Sequence, residues 1–388
     1  MRPQLKDVVW ERTDDELTLV FDRRSPLVVT DVDGRMEMLL GLLRLGGLTV
    51  DELAARLSQE GPAVPPSDVA DIVATLDGHR LVEDGERLGR YRGDLGERHY
   101  SNLAFFETFA TLARSHEDLL DAARGAHVLV LGTGGLNSNT VPHLAGLGVG
   151  RLTLADRDLV EARNFARQYL YSWRDLGRSK VEAAGAWVER FDPDLDVATH
   201  ELDVRGPSDV ARLVDETAPD VVMSGIDSPR EVDLWVNEVC VPRGVPFVRG
   251  GMGVSAAGVW SVVPGVSACR MCLELADPTH GESDFSPGSD DAHTRTARRI
   301  FEAKPRVNRG IGAVAGLLGS YAAFEVIRLL TGFQEPQYSG SLLTIDLVDG
   351  CSTTVRRWER HTDCPVCRAF GPLDRRTTSS TSRRPVAV

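Results

Sequence analysis

Apolar and polar positions follow two different rhythms along the 388 residues, and the change falls near residue 92. Before it the pattern is of short elements. Residues 8–21 read as two strands around an Asp-Asp turn, and 26–30 as a third. Residues 36–45 carry helical spacing. A further helix opens after Thr49, where Glu52 stands at capping-box distance. A Pro-rich break at 61–66 precedes a third helical stretch at 67–76, and 81–85 reads as a small wing-like turn. Three strands followed by this order of helices predict a small α+β, winged-helix-like domain over 1–92.

Beyond residue 92 the runs lengthen. Residues 126–132 form an uninterrupted apolar run with the length of a buried parallel strand, and 140–147 return to helical spacing. Strands at 151–155, 197–202 and 221–224 then alternate with helices at 181–191, 208–216 and 231–241. Two more strands follow at 246–251 and 258–264. This βαβ rhythm predicts an α/β fold with a Rossmann-like, mostly parallel sheet over 93–370. Residues 310–330 form a small-residue apolar helix interrupted by Tyr321, Glu325 and Arg328, which reads as a core or dimer helix. The polar stretch 277–304 reads as a mobile crossing loop, and the Ser-, Thr- and Arg-rich tail (371–388) is expected to be disordered.

Charge narrows the partners. The chain carries 44 basic and 57 acidic residues, a net −13, which argues against nucleic acid or an anionic membrane. Acids also outnumber bases between Leu48 and Leu88, so the winged-helix-like segment lacks the attraction for phosphate that a DNA reader needs. With no signal peptide and no uninterrupted apolar run of spanning length, a cytoplasmic location is expected.

The chemistry concentrates between Gly132 and Gln168. Gly132, Gly134 and Gly135 sit at a strand-to-helix turn, where backbone can approach a polyphosphate and the helix start favours negative charge. Asp156 follows at the end of the next strand, about 20 residues on, placed to accept ribose hydroxyls. The third position of the dinucleotide fingerprint is Asn137 instead of glycine. After Asp156 come Asp158, Asn164, Arg167 and Gln168. Hydride transfer has no use for that cluster, whereas a nucleotidyl transferase does: Arg167 can fork onto phosphate oxygens while Asn164 and Gln168 orient them. Asp227, at the end of the strand 221–224, lies on the edge where such sheets bind ligands. Cys269 and Cys272, with Cys364 and Cys367, form two Cys-x-x-Cys knuckles, the spacing of a four-thiolate zinc site.

From about Arg98 to Cys367 these motifs, in this order, resemble the ubiquitin-activating-enzyme-like (ThiF/MoeB-type) adenylyltransferase superfamily. The resemblance implies an ATP-dependent adenylation domain with a structural zinc and a homodimeric assembly. It makes Lys180, at a helix start, a phosphate partner and Asp227 the magnesium-holding aspartate. It also implies an arginine supplied across the dimer; that position falls on Ser101, leaving Arg98 as its substitute. Thioester-forming relatives carry a nucleophilic cysteine in the crossing loop, and none occurs between Cys272 and Cys351. His280 and His293 in that loop are read as solvated. The segment around Asp31 to Leu53 is similar to the peptide-recognition element of the small chaperone of pyrroloquinoline-quinone biosynthesis, where a leader peptide adds as a strand.

The reading that joins these features is activation of a carboxylate on a ribosomally made precursor peptide, as in microcin C-type members, with ATP, Mg2+ and Zn2+ and a downstream modifying enzyme. Two alternatives stand beside it. One is a non-catalytic leader-binding partner of a cyclodehydratase; the other is an adenylyltransferase for a ubiquitin-like sulfur carrier.

Overall fold

A computed structural model describes residues 1–276, 293, 296, 300 and 308–370. The tail 371–388, most of the stretch 277–304 and His280 lie outside the described residues, while His293 is described and exposed. The chain divides into two compact units, Met1–Ala123 and Arg124–Val388.

In the first unit, β2 (Val9–Thr13), β3 (Glu16–Val20) and β4 (Leu27–Thr30) form an antiparallel sheet in the order β2-β3-β4. Asp14 takes a φ of 50° in the β2–β3 turn, a left-handed conformation that aspartate tolerates. Helices α1 (Arg35–Leu45), α2 (Val50–Leu57) and α3 (Pro66–Gly78) follow. The Thr49–Glu52 capping box is formed: Glu52 N donates to Thr49 Oγ1 at 3.3 Å, and Thr49 N donates to Glu52 Oε2 at 2.8 Å. Leu17 and Leu19 of β3 close on Leu39, Leu40, Leu43, Leu53 and Leu76, all fully buried. The expected wing takes a different form. Strand β5 (Val82–Asp84) pairs antiparallel with β1 (Pro3–Leu5), because the chain's first residues supply the partner that a wing hairpin would have needed. Helices α4 (Asp94–Glu107) and α5 (His116–Arg124) complete this part of the chain.

The second unit is built on an eight-stranded sheet. Strands β6 (His127–Leu131), β7 (Arg151–Asp156), β8 (Asp196–Glu201), β9 (Val221–Ser224) and β10 (Phe247–Met252) run parallel in the order β8-β7-β6-β9-β10. Strands β11 (Ala256–Val262), β12 (Ser341–Asp346) and β13 (Ser352–Arg357) extend it antiparallel beyond β10. Strand β6 is buried throughout because helices cover both faces of a parallel sheet, which is why its sequence is continuously apolar. The crossover helices are α6 (Asn137–Leu147), α7 (Lys180–Phe191), α8 (Pro207–Thr217) and α9 (Val232–Cys240). Strand order reverses between β6 and β9, so the crevice at their carboxyl ends is the expected ligand position.

After β11 come α10 (Arg270–Ala276) and α11 (Gly312–Thr331). Length and composition alone would let α11 cross a membrane. Its surroundings are those of a core helix. It packs on α6 and on β9, β10 and β11. A β-carbon at Gly319 would stand 2.8 Å from Asn139 Cβ, so glycine is what permits the close approach to α6. Glu325 is fully buried and accepts from Ser261 Oγ at 2.7 Å, Tyr338 N at 2.9 Å, Gln337 N at 3.0 Å and Arg328 at 3.3 Å.

Candidate adenylation site and thiolate cluster

The glycine turn leaves β6 through Gly132, whose φ of +79° is left-handed. A β-carbon there would also meet Ile226 and Gly225 at 3.1 and 3.2 Å. Asn137, the first residue of α6, donates its carboxamide to Gly132 O at 2.7 Å and Leu131 O at 3.2 Å. It therefore ties the turn to the strand end in place of a packing glycine.

Asp156 ends β7 beside this turn. Its Oδ2 accepts from Thr133 N at 2.7 Å and Thr133 Oγ1 at 3.0 Å, and its Oδ1 accepts from Asp158 N at 2.9 Å. The Tyr171 hydroxyl donates to Thr133 O at 2.8 Å, and burial pushes that phenol well above its ordinary value. Lys180 opens α7 nearly buried, with its ammonium 2.8 Å from Asp158 Oδ2.

The segment between β7 and α7 carries the remaining polar groups. Asn164 is buried and spends its carboxamide oxygen on Glu161 N at 2.9 Å, while its carbonyl accepts from Arg167 N and Gln168 N. It shapes the turn that presents those two residues. The Arg167 carbonyl is gripped in turn by Asn139 Nδ2 at 3.0 Å. The Arg167 side chain lies over the glycine turn: a β-carbon at Gly135 would touch its Nε at 3.1 Å. Burial lowers the Arg167 pKa from its ordinary value, and the nearby Asp227 carboxylate opposes that shift. Asp227, just past β9, is exposed, and its Oδ1 lies 3.1 Å from Arg249 Nη2.

Three polar atoms at this sheet edge are buried without a hydrogen-bond partner among the described residues: Asn137 Oδ1, Gln168 Oε1 and Ser224 Oγ. Such atoms cost free energy unless a ligand or water satisfies them. Their presence fits an edge made to receive a polar molecule.

The four knuckle cysteines meet elsewhere in the same unit. The sulfurs of Cys269, Cys272, Cys364 and Cys367 all lie within 4.8 Å of one another and are buried. Trp358 Nε1 donates to Cys269 O at 3.0 Å, and Asn237 Nδ2 approaches Cys269 Sγ at 3.7 Å. The Cys269 and Cys272 sulfurs stand 3.8 Å apart, and hydrogen bonding between them lowers the Cys272 pKa from its ordinary value. Four buried soft donors in this volume fit tetrahedral zinc.

A family model for the ThiF family matches residues 107–366. The chain belongs to the ThiF family. Its enzyme class is that of an ATP-dependent adenylyltransferase, as the motifs imply. Protein HesA of Leptolyngbya boryana is 30% identical over 256 residues, covering 66% of this chain and 82% of that protein. The SAMP-activating enzyme E1 of Haloferax volcanii is 32% identical over 246 residues, covering 63% and 82%. The crystal structure of E. coli MccB shares the fold with a TM-score of 0.72 at 19% identity, over 95% of this chain and 97% of that one. MccB has also been solved with ATP and in complex with N-formylated MccA.

The ThiF-type unit thus gathers Gly132, Gly134, Gly135, Asp156, Asp158, Asn164, Arg167, Gln168, Lys180 and Asp227 along one sheet edge. Arg98 is exposed on α4, in the first unit. Sequence reading missed Asn139, Tyr171 and Arg249. Asn139 lies in the first turn of α6, and its amide side chain at a helix start was the available signal. Nothing in the local pattern marks Tyr171 or Arg249.

Proposed function

We propose that this ThiF-family enzyme adenylates a carboxylate of a ribosomally synthesised precursor peptide. The observation that carries the reading is coverage. The curated relatives match about two thirds of the chain, and the family model begins at residue 107, whereas the likeness to MccB runs over 95%. What the longer match adds is the N-terminal unit, a three-stranded sheet with three helices, in which β2 and β4 are the edge strands among the described residues. A leader peptide adding as a strand to that sheet would raise the effective concentration of its own reactive end. The two solved MccB complexes with ATP and with N-formylated MccA support the same pairing of substrates.

The reaction needs no general base, because a carboxylate is ionised at neutral pH. A carboxylate oxygen forms a bond to the α-phosphorus of ATP as the bond to the pyrophosphate oxygen breaks, giving an acyl-adenylate and pyrophosphate. Asp156 and Asp158 face the ribose, the glycine turn and the start of α6 take the phosphates, and Gln168 satisfies its buried oxygen on the nucleotide or its water. Arg167 and Lys180 offset charge that grows on the leaving group. Asp227 offers a hard, exposed carboxylate oxygen, which suits Mg2+, an ion that keeps several waters and binds through one or two carboxylates plus phosphates. When bound, Mg2+ would supply charge neutralisation at the pyrophosphate. The cysteine cluster would hold Zn2+ as a structural ion. Arg98 is assigned to the triphosphate of a second copy in a homodimer, and the acyl-adenylate passes to a downstream modifying enzyme.

The test is exchange of labelled pyrophosphate into ATP with a synthetic candidate precursor peptide carrying its leader. Exchange should require the peptide and disappear in Arg167→Ala. A sulfur-carrier protein ending in Gly-Gly is the control arm. Exchange with that carrier and none with the peptide would replace this substrate assignment. Tight leader binding without any exchange would leave a presenting partner of a cyclodehydratase.

A further inference from the structure

Arg249 is a nearly buried cation on β10 that neither the motifs nor the family assignment accounts for. Its guanidinium is fully engaged on one side of the sheet edge. Nε donates to Asp233 Oδ1 at 2.7 Å, Nη2 to Asp227 Oδ1 at 3.1 Å, and Nη1 to Gly250 O. Asp233 sits in the first turn of α9 and is itself mostly buried, whereas Asp227 is exposed. The rigid fork therefore links a fixed acid to a free one. Asp227 also feels Arg167 across the cleft. A carboxylate with two guanidinium neighbours has its orientation and part of its charge already spoken for.

We infer that Arg249 is the positioning residue for Asp227: it holds Oδ1, leaves Oδ2 as the oxygen for a cation, and limits Asp227 to a single-oxygen, weak cation ligand. The inference rests on the adenylation reading for what the cation is used for, but the coupling between Arg249 and Asp227 does not depend on it. Weak single-oxygen binding suits an ion that arrives with the nucleotide and leaves with pyrophosphate. A two-oxygen grip would hold the ion after turnover. Arg249 prevents that grip by occupying the second oxygen, at the cost of burying a guanidinium that Asp233 then compensates.

The experiment is Mn2+ titration of the full chain, followed by the loss of the free-ion signal in electron paramagnetic resonance, with Mn2+ alone as the probe. Removing the guanidinium in Arg249→Met should tighten Mn2+ binding about tenfold, because a neighbouring positive charge is lost and the second oxygen is released. The combined change Arg249→Met with Asp233→Asn should tighten it equally; it removes the stranded buried carboxylate and guards against misfolding of the single variant. Adding Asp227→Asn should abolish the gain. In pyrophosphate exchange, Arg249→Met should lower kcat while the KM for ATP changes little, a split that general loosening of the fold would not give. Unchanged or weaker Mn2+ binding in a folded Arg249→Met protein would overturn the inference. So would a gain that persists in the Asp227→Asn background. Failure of the adenylation reading is seen separately, as absence of exchange in the wild type with the manganese results intact.

Discussion

Asn137 occupies the place of a fingerprint glycine, and its contacts explain the exchange. Its amide group carries two strand-end carbonyls that are otherwise buried, and it fills space against Gly225, where a β-carbon would stand 2.7 Å from its Nδ2. Restoring the usual glycine should therefore harm this protein. Asn137→Gly is expected to cost about 1–3 kcal/mol by removing both bonds, chiefly the one to Gly132 O since Leu131 O keeps Gly225 N, and to weaken ATP binding. Urea unfolding and nucleotide titration measure the two effects, and an improved ATP affinity would refute the role given to the carboxamide. Gly132→Ala is expected to lose roughly 1–2 kcal/mol from its left-handed backbone alone. At this scale Gly132 and Asp156 were readable from a local motif with a mechanism, and Lys180 only through the family resemblance. Arg249 and Tyr171 were not, because what makes them matter is a partner on another strand or turn. Asn164 was read as a ligand-orienting amide, and its hydrogen bond to Glu161 N makes it a turn former as well.

Among the elements, the central parallel strands β6 and β9 were legible from their apolar runs, since burial on both faces leaves no alternation to misread, and the crossover helices from their spacing. Of the antiparallel extension only β11 was, as the run at 258–264; β12 and β13 were not. Strand β13 is exposed along its whole length and carries Ser, Thr and Arg, so composition gave it no strand-like contrast. The pairing of β5 with β1 joins residues far apart in sequence, which no local pattern records. Two buried acids pin elements in place and invite tests. Glu325 ties α11 to β11 and to the backbone at 337–338, so Glu325→Ala should cost about 3–5 kcal/mol by stranding Arg328 and several donors. Chemical denaturation would detect this directly. Glu83, in β5, takes His116 Nδ1 at 2.9 Å from the start of α5. Burial opposes charge on His116, but the Glu83 hydrogen bond and charge outweigh it and raise its pKa above 6.5. A raised folded-state pKa means stabilisation that is complete below about pH 6.5 and is lost as pH climbs through the folded value. Stability measured from pH 6 upward should fall in the wild type and run flatter in His116→Gln.

At the scale of the molecule, the thiolate cluster joins the turn after β11 to the last described segment of the chain. Cys269 and Cys272 lie at the start of α10, and Cys364 and Cys367 follow β13, so a shared ion closes a long loop that contains α11 and two strands. Closing a long loop removes chain entropy from the unfolded state, and a bound zinc adds its own ligand bonds only when the fold brings the four sulfurs together. One zinc per chain is therefore expected by atomic emission. Trp358 supplies a local reporter, since its indole donates to Cys269 O and stacks edge-on against Trp260. Removing the metal with a chelator, or changing Cys364→Ser, should lower Tm by about 10 °C and shift tryptophan emission to the red as that corner opens. Acidification should release the ion by protonating its thiolates, so emission shift and metal release should follow the same pH curve. If the purified protein holds no zinc and chelators leave both Tm and emission unchanged, the cluster is a set of packed thiols. The C-terminal segment would then be held by Trp358 and the apolar contacts around it.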